Sequence, residues 1–262
     1  MGRSAPFVIG PNSKNGPSDV KRSHRMKTIA DSVALVRERI AQAAARVGRS
    51  SDSVTLMAVS KTVEPERVRQ AVEAGIRIFG ENRVQEFAEK FPDPVDRQGA
   101  EWHLIGHLQT NKVNKAVELF DAVDSIDSLR LAERLNRAAA AMKRKLPVLI
   151  EINLGVEESK SGVPLDSPEL ELLLRGMEKL DRLQVHGLMA VPPFARNPEA
   201  TRPYFRLLRD LRDSIAARKL PRIEMDVLSI GMSHDFEVAI EEGSTYVRVG
   251  TAIFGERPKP NP

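Results

Sequence analysis

A lysine ends one of the apolar stretches of the chain. The sequence LMAVSK, residues 56–61, is typical of a buried strand, and it finishes on the primary amine of Lys61. An ammonium held against packed apolar side chains loses hydration, which lowers its pKa and frees the amine as a nucleophile. Such an amine can form a Schiff base with an aldehyde. The residues leave an alternative equally open, in which Lys61 pairs at the rim with a nearby carboxylate such as Glu81.

Two turns of small residues near the carboxyl terminus are suited to binding a phosphate. In GSTYVRVGTAIFG, Arg248 ends a β-rich run, and Gly250 and Thr251 begin a short helical turn. In SIGMSHDFEVAIEEG, the small residues from Ser229 to Ser233 precede another helix. Free backbone N–H groups at the start of a helix bind anions. A phosphate site combined with a carbonyl-reactive lysine indicates a phosphorylated aldehyde, and pyridoxal 5'-phosphate fits best.

A regular alternation of strands and helices must position these residues. Helices are predicted at residues 29–48, 64–74, 128–145, 168–180 and 198–218. Eight β-rich runs alternate with helical segments: VTLMAVS, IRIFG, EWHLIG, FDAVDSI, PVLIEINL, QVHGLMAV, DVLSI and TYVRVG. The alternation favours parallel pairing, and eight units predict a closed (β/α)8 TIM barrel with an extra N-terminal helix. An open doubly wound sheet is the alternative, but the chain has no GxG and no Gly-Lys pair of the usual nucleotide sites.

In a barrel of this kind, the polar residues that follow the strands meet at one end and form the site. The residues in these positions are Lys61, the GENR of 80–83, His107 with Gln109, Ser125, Asn153, Met189, the 229–233 turn, and Arg248 with Gly250 and Thr251.

The composition limits the classes of function. The 262 residues include no cysteine, which excludes disulfides and thiolate metal sites and favours a reducing compartment. No apolar run approaches the roughly 20 residues that span a bilayer, so a soluble, cytoplasmic protein is expected. The basic excess lies at residues 1–28, with six basic side chains against Asp19, while the remainder is nearly neutral. We therefore predict a disordered basic extension at 1–28 and no nucleic-acid partner. A transit peptide and a true start at Met26 are further interpretations of this extension.

Several motifs together resemble a known family. AVSKT, FGENRVQE, WHLIGHLQTNK, GVEESKSG, HGLMA and LSIGMSHDFEVAIEEGSTYVRVGTAIFG are similar to motifs of the YggS/PROSC family of pyridoxal phosphate-binding proteins. The resemblance extends from the first predicted helix to the final FGER. It implies a barrel like the N-terminal domain of alanine racemase, which is pyridoxal phosphate fold type III. We expect one such domain at residues 29–257 and a short tail at 258–262.

The resemblance also implies a role for individual residues. Lys61 occupies the position of the family's Schiff-base lysine, and Arg248 that of the arginine facing the pyridine nitrogen of the cofactor. The family's phosphate-holding turns are matched by Ser233, Gly250 and Thr251. Asn82 and Met232 match positions near the cofactor ring. No catalytic residue and no metal ligand is implied.

The function implied by the resemblance is intracellular pyridoxal phosphate homeostasis, without strong catalytic activity. An arginine at the pyridine nitrogen keeps that nitrogen unprotonated, so the ring withdraws electrons poorly. Similar racemases add a second domain with a catalytic tyrosine, for which no residues remain after Gly255 in this sequence. Expected partners are other B6 vitamers and pyridoxal phosphate-dependent apo-enzymes, and a monomer is expected. The alternative is an amino-acid racemase or lyase that uses the same lysine.

A few positions differ from the family pattern or remain open. Ile230 and Leu104 replace common apolar residues and should alter packing only. His107 stands where proline is frequent, and it is either a hydrogen-bonded rim residue or a proton carrier. Lys160, in GVEESKSG, is either part of a solvated loop or a second lysine that takes cofactor in transit. Lys112 and Lys115, in HLQTNK and just after it, either bind an anion or belong to an ordinary charged helical face.

Overall fold

The computed structural model describes residues 1–2, 28–155 and 161–256. The predicted extension at 1–28 therefore lies almost wholly outside the described residues, as do Lys160 and the tail at 258–262, and the predicted domain division stays a prediction. The strands are β1 Thr55–Val59, β2 Ile78–Glu81, β3 Glu101–Leu104, β4 Ala122–Ile126, β5 Leu146–Asn153, β6 Val163–Pro164, β7 Leu183–Ala190, β8 Ile223–Met232 and β9 Tyr246–Val249. The α-helices are α1 Ile29–Arg46, α2 Pro65–Glu73, α3 Val84–Lys90, α4 Val113–Leu119, α5 Leu129–Ala141, α6 Pro168–Met177, α7 Arg202–Ala217, α8 Phe236–Glu241 and α9 Thr251–Phe254.

Eight parallel strands close into a barrel. Strands β1 to β4 pair in sequence, β4 pairs with β5, and the ring continues through β7, β8 and β9 back to β1. The two-residue strand β6 pairs only with the end of β5 and lies outside this ring. The eight predicted strands and the predicted (β/α)8 barrel are confirmed, and the open doubly wound alternative is wrong. The carboxyl ends of all eight strands therefore meet at one face.

The strands are largely buried on both faces because each lies between the barrel interior and a layer of helices. Strand β4, for example, is buried at all five positions. One continuous core joins the helices to the strands. Parallel strands of this kind read as unbroken apolar runs rather than as alternating ones, which explains why the runs were recognisable in the sequence.

Helix α1 precedes the first strand and packs against α2, α8 and α9. Its amino terminus is a capping box, in which Thr28 Oγ1 accepts the Asp31 N–H at 3.1 Å and Asp31 Oδ2 accepts the Thr28 N–H at 3.0 Å. The cap satisfies backbone donors that lack a partner in the first turn. Val33, Val36 and Ile40 are buried on its inner face. The predicted extra N-terminal helix is thus present.

The register divides the barrel into two halves. The pairings from β9 through β1, β2 and β3 to β4 run without interruption. Each pairing from β4 through β5, β7 and β8 back to β9 contains a register shift. Such irregularities leave a residue unpaired and bend the strand locally. The two halves meet at β4 and at β9.

Two details differ from the sequence-based expectations. The helix predicted at 198–218 begins with a 3-10 turn at Pro198–Thr201, in which Asn197 Oδ1 accepts the Glu199 N–H, and α7 starts only at Arg202. The short strand β6 was not predicted, because two residues carry no detectable periodicity. Within the described part of the chain, no helix combines the length and the apolar character needed to cross a membrane.

Candidate cofactor site

Lys61 lies in the turn that follows β1, at the carboxyl face of the barrel. The turn is held by backbone and side-chain bonds: the Ser60 N–H donates to the Gly80 carbonyl at 3.1 Å, and the Thr62 N–H donates to Glu86 Oε1 at 2.7 Å. Thr62 adopts a left-handed conformation with φ of +62°, a conformation that is uncommon for a residue with a branched side chain. The chain therefore turns sharply just after the lysine.

A buried ion pair supports this turn from below. Glu81, at the end of β2, is fully buried, and its Oε1 accepts from Ser60 Oγ and from Lys90 Nζ, each at 2.7 Å. Lys90 Nζ also donates to the Ser60 carbonyl at 2.8 Å. Burial raises the pKa of Glu81, although the charge of Lys90 opposes the shift. The carboxylate considered as a partner for Lys61 thus forms its ion pair with Lys90, a residue that the sequence analysis did not single out.

A cleft beside Lys61 contains both the predicted Schiff-base lysine and one of the predicted phosphate-binding turns. It lies between the turn after β1 and the start of α9, and residues lining it include Lys61, Thr62, Arg67, Gly250, Thr251 and Phe254. A Cβ placed on Gly250 would lie 3.3 Å from the carbonyl oxygen of Val59, so the two strand ends approach closely. The structure therefore brings the lysine and one predicted phosphate turn into a single cleft.

The second small-residue turn is bonded to the first. Ser233 Oγ accepts the N–H groups of Gly250 at 3.1 Å and Ala252 at 3.3 Å. The preceding Gly231 has φ of +88°, and a Cβ there would lie 2.5 Å from the Cβ of Ala239. A glycine is required at this position because any side chain would meet α8. Ser233, Gly250 and Thr251 therefore form one polar surface at the start of α9.

Arg248 is a buried cation in the interior of the barrel. It donates from Nη1 to the carbonyl and the hydroxyl of Ser229, and from Nη2 to the Ala190 carbonyl at 2.8 Å. Burial lowers the pKa of Arg248 below its usual value, whereas three carboxyl groups, those of Asp124, Glu151 and Asp235, act in the opposite direction. The guanidinium is fixed against β7 and β8, so its position is set by the strands themselves.

Asn82 and Met232 complete the set of predicted residues. Met232, on β8, pairs in register with Arg248 on β9. Asn82 follows β2, and its Oδ1 atom is buried without a hydrogen-bond partner among the described residues. Gly106 packs against the Asn82 backbone so closely that a Cβ would lie 2.3 Å from the Asn82 carbonyl oxygen. A buried amide oxygen without a partner is a group that a ligand can satisfy.

The histidines lie in different environments. His107 places Nδ1 3.1 Å from Asp127 Oδ2, and 55% of its side chain is exposed, so it is a hydrogen-bonded residue at the carboxyl face. His103 lies inside the barrel between Asp124 and Glu101. Burial disfavours its charged form, but the two carboxylates outweigh burial and raise the pKa of His103 to about 10. No group of side chains suited to a metal ion occurs in the ranges 28–155 and 161–256.

The structure adds Glu151, which the sequence analysis did not select. It lies on β5 within the run PVLIEINL, and it is 9% exposed. Burial, together with the charge of Asp127, raises the pKa of Glu151 to about 7, and Arg248 acts in the opposite direction. The signal available in the sequence was a single acid in an otherwise apolar strand.

Curated relatives cover most of the chain. A protein of Aquifex aeolicus is 45% identical over 222 residues, which are 85% of this chain and 95% of the relative. A protein of Escherichia coli K12 is 45% identical over 234 residues, which are 88% of this chain and 98% of the relative. Both are named Pyridoxal phosphate homeostasis protein. The chain belongs to this family. Residues 32–258 also match the family described as Alanine racemase, N-terminal domain, so the resemblance seen in the motifs is confirmed.

Solved structures share the fold of this chain. PipY of Synechococcus elongatus, solved with pyridoxal phosphate bound, is 36% identical and has a TM-score of 0.75, covering 87% of this chain and all of that chain. An unknown protein from Bifidobacterium adolescentis is 39% identical, with a TM-score of 0.79 over 86% of this chain and 94% of its own. An alanine racemase of Clostridium difficile, 14% identical with a TM-score of 0.66, shares the fold over 88% of this chain and 58% of its own.

Proposed function

We propose that this protein binds pyridoxal 5'-phosphate on Lys61 and acts in intracellular pyridoxal phosphate homeostasis, without strong catalytic activity. One observation carries the proposal: Lys61 and the turn of Gly250 and Thr251 line the same cleft. A carbonyl-reactive amine and a phosphate-binding turn are the two features that a phosphorylated aldehyde requires. The names of the curated relatives and the cofactor present in PipY support the assignment.

The remaining residues fit the cofactor. Ser233 and Thr251 offer hydroxyl groups for the phosphate, while the Gly250 N–H donates to Ser233 Oγ and holds the two turns together. Asn82 has a buried side-chain oxygen with no partner among the described residues, and it lies after β2, beside the strand that precedes Lys61. The buried guanidinium of Arg248 is a donor only, so it favours a ring nitrogen that carries no proton. When bound, pyridoxal phosphate supplies an aldehyde carbon for the amine and a ring that can withdraw electrons.

Several features favour a carrier over an enzyme. A donor at the ring nitrogen reduces the electron-withdrawing power of the ring. Tyr246, on β9, lies inside the barrel in one cavity with His103 and Asp124, and burial raises the pKa of its phenol. Tyr204 lies on α7. Neither tyrosine lines the cleft beside Lys61. The second candidate, an amino-acid racemase or lyase, is favoured only by the fold shared with alanine racemase.

The wider role follows from the same proposal. Other B6 vitamers that carry the phosphate would use the turn at Gly250, and pyridoxal phosphate-dependent apo-enzymes would receive the cofactor. We further propose a monomer that acts in the cytoplasm, with the barrel at 29–257 as its single domain.

The test is reduction of the protein with borohydride in the presence of added pyridoxal phosphate, followed by peptide mapping by mass spectrometry. We expect a pyridoxyl group on Lys61, its loss in Lys61→Ala, and its retention in Lys115→Ala, which changes an exposed lysine on α4. Absence of an adduct on Lys61 would refute the proposal. Exchange of the α-proton of amino acids in deuterated water distinguishes the two candidates, because a carrier should show none above the rate of free cofactor.

A further inference from the structure

Glu151 projects into the barrel interior on the same side as Arg248. Glu151 pairs in register with Met189 on β7, and Met189 pairs with Ser229 on β8. Residues that are in register on neighbouring strands project to the same face of the sheet. The hydroxyl of Ser229 lies 2.8 Å from Arg248 Nη1, so this shared face is the one that carries the guanidinium. The carboxyl of Glu151 therefore faces, from β5, the part of the barrel interior that holds Arg248. Arg248 is the residue proposed to face the cofactor ring, so this part of the interior is named the cofactor cavity.

The surroundings of Glu151 favour its neutral form. The residue is 9% exposed, and its Oε2 atom is buried with no hydrogen-bond partner among the described residues. Ile126 pairs with Ile150, which places Asp127 beside Glu151 at the end of the neighbouring strand. Burial and the negative charge of Asp127 raise the pKa of Glu151 to about 7, against the opposing charge of Arg248. A proton on Glu151 is therefore gained and lost near neutral pH.

Asp127 also connects this position to solvent. Its Oδ2 lies 3.1 Å from Nδ1 of His107, and the His107 side chain is half exposed. Imidazole side chains serve as proton shuttles in proteins. The polar side chains His107, Asp127 and Glu151 thus extend from the outer surface of the barrel mouth to its interior.

Other titratable groups also lie on the described strands that pair with β5 or face it across the barrel. They include Glu81 on β2, Glu101 and His103 on β3, Asp124 on β4, His186 on β7, Tyr246 and Arg248 on β9, and also Asp127 and Asp235 beside the strands. Asp124 accepts from His103, and His186 pairs with Glu224 at 2.9 Å. Arg248 bonds to neutral acceptors, namely Ser229 and the Ala190 carbonyl.

We propose that Glu151 is a proton-exchanging residue of the cofactor cavity, and that its charge state sets how tightly the cavity holds an anionic ligand. The inference rests on the proposed function. Protonated Glu151 leaves the positive charge of Arg248 uncompensated in the cavity. Ionised Glu151 places a negative charge there, which attracts Arg248 and repels a phosphorylated ligand. Affinity for pyridoxal phosphate should therefore fall as Glu151 ionises.

The titration of Glu151 can be measured on the full chain without cofactor. Protein labelled with ¹³C at the glutamate carboxyl carbons is titrated by NMR between pH 4 and 9. We expect one resonance with a midpoint near 7, absent in Glu151→Gln, lowered in Asp127→Asn, and unchanged in Glu224→Gln, which alters an exposed glutamate on β8. A Glu151 midpoint near 4.5 would overturn the inference, as would a midpoint unaffected by Asp127→Asn.

The effect on binding is measured by equilibrium dialysis of pyridoxal phosphate against wild type and Glu151→Gln. The variant controls for the titration of the cofactor itself, because both proteins bind the same ligand. Between pH 6 and pH 8.5, the Kd of the wild type should rise about three- to tenfold relative to the Kd of the variant. A constant ratio overturns the inference. Failure of the proposed function is seen separately, as no pyridoxyl adduct on Lys61 at any pH.

Discussion

The buried pair of Glu81 and Lys90 gives a sharp test of how the lysine turn is supported. Lys90→Met removes the cation while keeping most of the side-chain volume. Glu81 is then left fully buried, with Ser60 Oγ as its remaining side-chain donor among the described residues, and the Ser60 carbonyl loses its bond from Lys90. Removing one partner of a buried ion pair costs about 3–5 kcal/mol. For a domain of this size that corresponds to a fall in Tm of about 6–20 °C.

The pH dependence of this loss has a definite sign. Burial raises the pKa of Glu81 in the folded protein, so the stability linked to its neutral form is complete below the unfolded pKa and is lost as pH rises through the folded value. Without Lys90 the folded carboxylate has no ion-pair partner. Lys90→Met should therefore destabilise the protein more at pH 8 than at pH 5. Urea denaturation followed by circular dichroism at the two pH values measures the difference.

Two further variants decide whether charge is the cause. In Lys90→Met with Glu81→Gln the unpaired charge is gone, and we expect a loss of only about 1–3 kcal/mol, for the neutral bonds that remain unmade. Lys115→Met removes a cation from an exposed pair with Glu118, and it should change stability by less than about 1 kcal/mol. The reasoning is refuted if Lys90→Met alone costs less than about 1 kcal/mol, or if the double variant is as unstable as the single one.

Three more predictions concern the site and its support. Gly106→Ala should displace Asn82, because the added Cβ would lie 2.3 Å from the Asn82 carbonyl oxygen. We expect urea denaturation to show a loss of about 1–3 kcal/mol of stability, and equilibrium dialysis to show weaker binding of the cofactor. Ser233→Ala removes a hydroxyl from the phosphate turn, and we expect pyridoxal phosphate to bind about tenfold more weakly with the fold intact by circular dichroism. The pKa of His103 is raised to about 10, so its contribution to stability is complete below about pH 6.5 and disappears as pH rises through 10. Asp124→Asn should flatten this pH dependence, measured by urea denaturation between pH 6 and 10. An unchanged slope of stability against pH would contradict the assignment.

The barrel was predictable because its strands carry a strong signal. The run FDAVDSI contains β4, which is buried at all five positions, and VTLMAVS contains β1, which is partly buried, so both stand out from the helical segments as short runs rich in β-forming apolar residues. The lysine and the glycine turns were also predictable, because Lys61, Gly250 and Thr251 lie within two residues of the ends of strands. Their spatial proximity required only the closure of the barrel between β1 and β9.

Two residues of the site region were not predicted, because their roles depend on contacts between elements that are distant in the sequence. Glu151 is one charged residue in an apolar run, and the sequence does not tell which face of β5 it occupies or that Asp127 lies beside it. Lys90 ends α3, where a lysine is ordinary on an exposed helix terminus. Only the folded chain shows that it reaches Glu81 inside. In both cases the partner lies on another element of the chain.

The register shifts, which occur in one half of the barrel and not in the other, affect where the barrel opens locally to solvent. Lys61 follows β1, in the half of the barrel whose strand pairings have no register shift. Glu151 lies on β5, in the half where each strand pairing contains a register shift. Backbone amides at such shifts lack a ladder partner and exchange with solvent through smaller openings. We expect deuterium to enter β5, β7 and β8 before it enters β1 and β2. The strands that carry Glu151 would then open locally, while the strands next to Lys61 stay closed.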